Sequence, residues 1–131
     1  ELNPQAAEIA AALDRERKAG KVRGPLHGIP VTIKDVALTR GVRTMSGSAL
    51  FRDRVPDIDH LHVERLRDAG AIMFGKTTVP ELGWKGNGDS PVTGITHNPW
   101  KHGTNAGGSS AGALSGSRQG SAGAGCSSGT P

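Results

Sequence analysis

The chain has 131 residues, enough for one small domain or a piece of a larger one, and with 3% aromatics, no Tyr and 20 glycines its core must be thin and mostly aliphatic. The formal net charge is +4, but both signs are interspersed over residues 8 to 68 with no basic stripe, which argues against a nucleic-acid partner. One cysteine, Cys126, excludes an internal disulfide, and no apolar run approaches the roughly 20 residues of a membrane span, so the expectation is a cytoplasmic protein with no membrane partner.

The chain opens on Glu1-Leu2-Asn3-Pro4, without an initiator Met or a signal-peptide pattern, so this start does not fix the true N-terminus. Asn3 then reads as an N-cap with Pro4 at the first helical position, and Gly20 closes the run after Arg15, Arg17 and Lys18, predicting a helix over residues 4 to 19. Its apolar positions Ile9, Ala12 and Leu13 make one narrow stripe that needs a packing partner. Pro25, Gly28 and Pro30 punctuate a loop, and Val31-Thr32-Ile33 reads as a short strand that delivers Lys34 and Asp35 at its end. Residues 36 to 57 read mostly as loop. A second helix is predicted over 59 to 68, capped by Gly70 and running into the apolar stretch Ala71-Ile72-Met73-Phe74; helix followed by buried strand implies a parallel α/β arrangement. From Gly83 to Ser110 the chain is dense in Gly, Asn, Pro, Ser and Thr, a loop too long to be ordinary. Beyond Gly112 it is nearly all Ser, Gly and Ala, with Arg118 its only charge, and residues 114–131 read as flexible or disordered.

Several segments invite a chemical reading. Gly70 to Thr77 matches the phosphate-binding pattern G-x-x-x-x-G-K-[ST], which would make Lys76 a nucleotide contact, but here the first glycine ends a helix and the four residues between resemble a buried strand. His60 and His62 with Glu64 suggest a metal site, yet two residues at i and i+2 do not share a helix face, and solvated surface is the simpler reading. His27, His97 and His102 are isolated, and Cys126 has no local base to activate it. The remaining pair is Lys34 and the loop Gly107-Gly108-Ser109-Ser110-Ala111-Gly112. A desolvated lysine can act as a base, and a serine on a glycine-rich turn can be held against it, although each half alone usually means a solvated charge or a linker.

Taken together, the stretch from Gly24 to Asp35 and the loop from Gly107 to Gly112 resemble the amidase signature family of carbon–nitrogen hydrolases. The intervening segments agree: Thr44-Met45-Ser46-Gly47-Ser48, Ala69 to Thr77 with Pro80-Glu81, and Gly94-Ile95-Thr96-His97-Asn98-Pro99-Trp100. The resemblance runs from Asn3 to Ala113 and implies an α/β fold, with α/β/α layers around a mixed sheet larger than this chain could complete. It implies a catalytic lysine matched by Lys34, a serine preceded by a cis peptide bond matched by Ser109, and supporting positions at Gly107, Gly108 and Ser110. It implies no cofactor and no metal. The substrate would be a small-molecule amide, and the assembly either a homodimer or, in the transamidation branch, a complex with partner subunits. It also turns Gly70 to Thr77 into a helix-to-strand passage instead of a phosphate cradle.

The family's nucleophilic serine would stand just past Pro131, so the expectation is a chain that stops before it and is inactive alone, whether a fragment or a pseudoenzyme. Gly129-Thr130 resembles the triplet that precedes the nucleophile, but Pro131 replaces its acid. Ser115, Gly116, Ser117, Gly120 and Gly123 oppose the small-residue helix that the family places after the loop. Residues 1–113 are therefore read as the N-terminal part of an amidase signature domain and 114–131 as a departing tail, translated out of frame, in which Ser121, Ser127 and Ser128 are poor substitutes for the nucleophile.

Overall fold

The computed structural model describes residues 1–118; the tail positions Gly120, Ser121, Gly123, Cys126, Ser127 and Ser128 lie outside them. Helix α1 spans Ala6–Lys18, strand β1 Pro30–Lys34, helix α2 Leu61–Asp68, strand β2 Ile72–Thr77, the two-residue strands β3 and β4 Asp89–Ser90 and Gly94–Ile95, and helix α3 Ala111–Arg118. Single turns of 3-10 helix occur at Ala49–Phe51 and Glu81–Gly83.

Helices α1 and α2 end as their sequences predict. At Gly20 (φ 77°) Lys21 N donates to Glu16 O at 2.9 Å and Gly20 N to Arg17 O at 3.0 Å. At Gly70 (φ 89°) the same pair recurs, Ala71 N to Leu66 O at 3.0 Å and Gly70 N to Arg67 O at 2.9 Å. These are Schellman caps, in which a left-handed residue turns the chain back over the last free carbonyls. At the start of α1, Asn3 Oδ1 accepts from Gln5 N at 3.0 Å, while the Asn3 amide donates to Met73 O at 2.8 Å, so one buried side chain both opens the helix and ties it to β2.

Strands β1 and β2 pair in parallel, as the helix-then-strand order predicts. Residues 1–3 line the other edge of β2: Leu2 bridges Gly75, Asn3 N donates to Phe74 O and Lys76 N to Glu1 O. Register shifts once, with Val31 opposite Met73 but Thr32 opposite Gly75, so Phe74 is an extra residue on β2. That bulge resets the alternation of faces. Val31, Ile33, Met73 and Lys76 share one face, and Thr32, Lys34, Gly75 and Thr77 the other.

The first face carries the core. Ile33, Ala37, Val63, Ala71 and Met73 are buried together, with Leu26, Val31 and Leu66 packed against them, which brings α2 onto the sheet. Helix α3 contacts β1 and β2 from the other side, where a Cβ on Gly112 would lie 3.0 Å from Thr77 Cβ. Helix α1 packs on β2 through the stripe predicted for it, with Leu13 fully buried. Helices thus cover both faces of the strand pair, the layering expected of the fold class.

Four predicted boundaries move. Helix 4–19 becomes 6–18, helix 59–68 becomes 61–68, strand 31–33 becomes 30–34, and the strand predicted at 71–74 runs from 72 to 77. The last extends because Gly75 and Lys76 are held on both sides, by β1 and by Glu1 and Leu2. The larger difference is α3, which runs past Ala113 through Ser115, Gly116 and Ser117, residues expected to oppose a helix. The reason is anchoring from outside the helix: Gly112 N donates to Thr78 O at 3.0 Å, and Ser115 Oγ donates to His97 O at 3.2 Å. Tertiary anchoring of that kind overrides propensity differences of under about 1 kcal/mol per residue.

Candidate active site

Lys34 stands at the C-terminal end of β1, opposite Thr77, and its Nζ lies 2.7 Å from Ser109 Oγ. Both residues are half-buried. The sequence separates them by 75 positions, so the contact exists only because the loop before α3 folds back across the end of the strand pair.

That loop is stitched along its length. Thr96 N donates to Gly88 O at 2.7 Å, Ala106 N to Thr96 O at 2.8 Å, and Asn98 N to Thr104 O at 2.8 Å. The Asn105 side chain accepts from Gly107 N at 2.8 Å, and Gly107 adopts φ 77°, open to glycine at little cost. Gly108 passes so close to the 85–87 segment that a Cβ there would meet Asn87 O at 2.6 Å and Lys85 O at 2.8 Å. The Gly108–Ser109 peptide bond is cis. Ser110 contributes its backbone carbonyl to the first turn of α3, and Ala111 behind it is fully buried. The structure therefore brings Lys34, Gly107, Gly108, Ser109 and Ser110 into one place.

Lys76 is found far from any phosphate-binding geometry. Its side chain is 2% exposed, and its ammonium donates to Ala37 O, to Thr39 Oγ1 at 2.9 Å and to Thr44 Oγ1 at 3.0 Å, with Asp35 Oδ1 at 4.0 Å. A P-loop lysine needs those N–H groups free for a ligand. Here they are spent, and the nucleotide alternative is set aside. Burial lowers the Lys76 pKa to about 8 against the opposing pull of Asp35, while burial raises the carboxyl of Asp35, opposed by Lys76 and by Met45 N.

The histidines take structural or surface places. His27 Nε2 lies 2.9 Å from Leu13 O while its Nδ1 accepts from Arg23 N at 3.1 Å, so the ring bridges α1 to the following loop. His60 and His62 pair ring to ring at 5.8 Å, as do His97 and His102 at 6.0 Å, and neither pair is joined by a third metal-ligating side chain among the described residues.

The sequence counts segment 44–48 toward the family resemblance but gives it no structural role, and the fold supplies one. Ser46, at φ 53°, donates its N–H to Asp35 O at 3.1 Å and accepts from Leu82 N at 2.7 Å, and Ser48 Oγ donates to Glu81 Oε1 at 2.8 Å. A Cβ on Gly47 would strike Val79 O at 2.7 Å. The segment thus fastens the turn after Lys34 to the 79–82 loop. The signal for it was the unusual Ser-Gly-Ser spacing, which composition alone reads as loop.

Comparison with known proteins shows which family this fold and this pair of side chains come from. The family model described as Amidase matches residues 1–130, beyond the Ala113 at which the motif-by-motif resemblance ends. The chain belongs to the amidase signature family. It is 45% identical over 106 residues to an acylamidase of Rhodococcus erythropolis, covering 81% of this chain and 22% of that protein. A glutamyl-tRNA(Gln) amidotransferase subunit from Salinispora tropica is 43% identical over 95 residues, covering 72% of this chain and 19% of its own. The peptide amidase of Stenotrophomonas maltophilia superposes with a TM-score of 0.80 at 44% identity, over 86% of this chain and 24% of its own. The chain thus spans between 19% and 24% of the length of these relatives.

Proposed function

We propose that this sequence supplies the base and the proton relay of an enzyme that hydrolyses the C–N bond of small carboxamides. The observation that carries the reading is the 2.7 Å contact between Lys34 Nζ and Ser109 Oγ, a distance at which a proton passes either way. In its amine form Lys34 takes the proton of Ser109, which relays one from an attacking serine. The attack forms a tetrahedral adduct, and the returning proton goes to the leaving nitrogen as the C–N bond breaks. Water then releases the acid from the acyl-enzyme by the same relay. The attacking serine belongs, by the family resemblance, past Pro131, so turnover is expected of the protein that carries this sequence and not of residues 1–131 alone.

The test is hydrolysis of a panel of primary and secondary carboxamides, followed as released ammonia or amine. The protein is expected to turn over at least one, and Lys34→Ala to lower kcat/KM by about 10³-fold or more, within the range of lost acid–base catalysis. Unchanged turnover in the variant would remove Lys34 from the mechanism.

Two further readings belong to the same proposal. Both a glutamyl-tRNA(Gln) amidotransferase subunit and an acylamidase are among the relatives, so a homodimer and a transamidation complex with partner subunits are both kept; a mass measurement on the purified protein from its own cells separates them. The tail from 114 to 131 is read as departing from the family frame, a cytoplasmic protein being otherwise expected. The other two frames of the coding DNA decide this: a Gly-Gly-Ser found in one of them supports the reading, and the turnover measurements then use the protein translated in that restored frame, whereas its absence from both removes the reading.

A further inference from the structure

A buried lysine and carboxylate lie directly behind the Lys34–Ser109 contact, on the opposite face of the strand pair, and the proposed reaction does not use them. The Lys76 and Asp35 side chains are 2% and 8% exposed. Taking two charges out of water is costly, and a methionine at position 76 would fill similar space without that cost. What the ammonium adds is direction, because it has three N–H donors and three oxygens to meet.

The partners show that all three donors are needed. Thr39 Oγ1 donates its own proton to Ala37 O at 3.2 Å, and Thr44 Oγ1 donates to Val42 O at 3.0 Å. Both hydroxyls therefore present only lone pairs to Lys76, as the Ala37 carbonyl does. An uncharged amine would leave one of them unmet.

These contacts reach Lys34 in two short steps. Ala37 O accepts from Lys76, and Ala37 N donates to Lys34 O at 2.9 Å. Asp35, next in sequence to Lys34, faces Lys76 with one oxygen, accepts Met45 N on the other at 3.1 Å, and donates its own N–H to Thr77 O at 3.2 Å. The chain leaving Lys34 is thereby fixed at residues 35, 37 and 39 to one side chain of the neighbouring strand. The bulge at Phe74 is what puts Lys76 on that face.

We infer that Lys76 is a positioning residue for Lys34: through the Ala37 turn and Asp35 it fixes the backbone from which the Lys34 side chain reaches Ser109. The inference rests on the reading of Lys34 as the base. A displacement of about 1 Å at the reacting groups can cost on the order of 10²-fold in rate, so the effect falls on kcat.

The test uses the full-length protein carrying this sequence, with kcat, KM and thermal midpoint measured on one carboxamide substrate for the parent, Lys76→Met, Thr44→Val, Thr44→Ser and Lys34→Ala. Lys76→Met is expected to lower kcat per folded molecule about tenfold or more with KM within about twofold. Thr44→Val is expected to lower kcat at least about threefold, with Thr44→Ser, which keeps the hydroxyl, restoring it. A folded Lys76→Met with parental kcat, or a loss carried by KM or by the folded fraction alone, overturns the inference. Should Lys76→Met not fold, Thr44→Val decides, and a parental kcat there overturns it equally. Turnover retained in Lys34→Ala overturns the base assignment itself, whereas turnover lost in Lys34→Ala but kept in Lys76→Met overturns only the role of Lys76.

Discussion

Two lysines sit within a few residues of the same strand ends and do opposite things, because their surroundings differ. Lys34 is half-buried and meets one hydroxyl; Lys76 is buried and meets three acceptors and a carboxylate. The second arrangement has a consequence for stability. Burial lowers the Lys76 pKa from 10.5 to about 8 in the folded protein. Between about 8 and 10.5 the unfolded chain still holds that proton while the folded chain has released it, so the unfolded state binds more protons and stability from this group rises with pH. Asp35 acts in the acidic range: its raised folded pKa means that stability from this group falls as pH climbs from 3.8 to that value. Urea unfolding at pH 8 and pH 10 should therefore show the parent gaining stability relative to Lys76→Met, and equal changes in the two proteins would contradict the account. Lys34 and Ser109 were legible from their motifs. The Lys76–Asp35 pair was not, since strict alternation along β2 would have put Lys76 on the other face, and only the extra residue Phe74 moves it.

At the scale of elements, glycines decide where chain segments approach. Gly70 combines φ 89° with a position where a Cβ would lie 2.8 Å from His27 Cα, backbone that cannot step aside. Gly70→Ala should cost about 1 to 3 kcal/mol of unfolding free energy, read from denaturant midpoints at constant m; a loss under about 0.5 kcal/mol would show that the α2 cap and the 24–28 turn are not coupled there. Gly112 is tighter still, as a Cβ would press on the Thr78 backbone N and lie 2.7 Å from its Oγ1. Gly112→Ala should displace the start of α3 and with it Ser109, lowering turnover about tenfold or more by the same positioning argument; parental turnover would mean that α3 does not hold the loop. Helix caps were readable because Gly20 and Gly70 follow clear periodic runs. Helix α3 was not, because the contacts that anchor it, Gly112 N to Thr78 O and Ser115 Oγ to His97 O, join segments far apart in sequence that no local pattern contains.

Over the molecule as a whole, the parallel order of β1 and β2 and the helices on both faces could be anticipated from the alternation of helix and strand. What could not be anticipated is how the long loop from 83 to 110 threads through Gly88, Thr96 and Asn105 to close on Lys34, because every stitch in it is between residues far apart or of ordinary type. The chain also carries large apolar side chains in the open, among them Leu50 at 86%, Trp84 at 72% and Trp100 at 71% exposure. Residues 1–131 expressed alone are thus expected to bind a hydrophobic dye and to unfold at low denaturant, and a dye-silent, cooperative transition at high denaturant would refute this. In the proposed reaction Lys34 and Ser109 act as one unit on amide substrates. A double-mutant cycle in kcat/KM with Lys34→Ala, Ser109→Ala and the double variant addresses it directly. Each single change is predicted to lower kcat/KM by about 10³-fold or more and the double change to lower it no further, as for groups that work together; losses that multiply, or a single variant with near-parental turnover, would contradict the account.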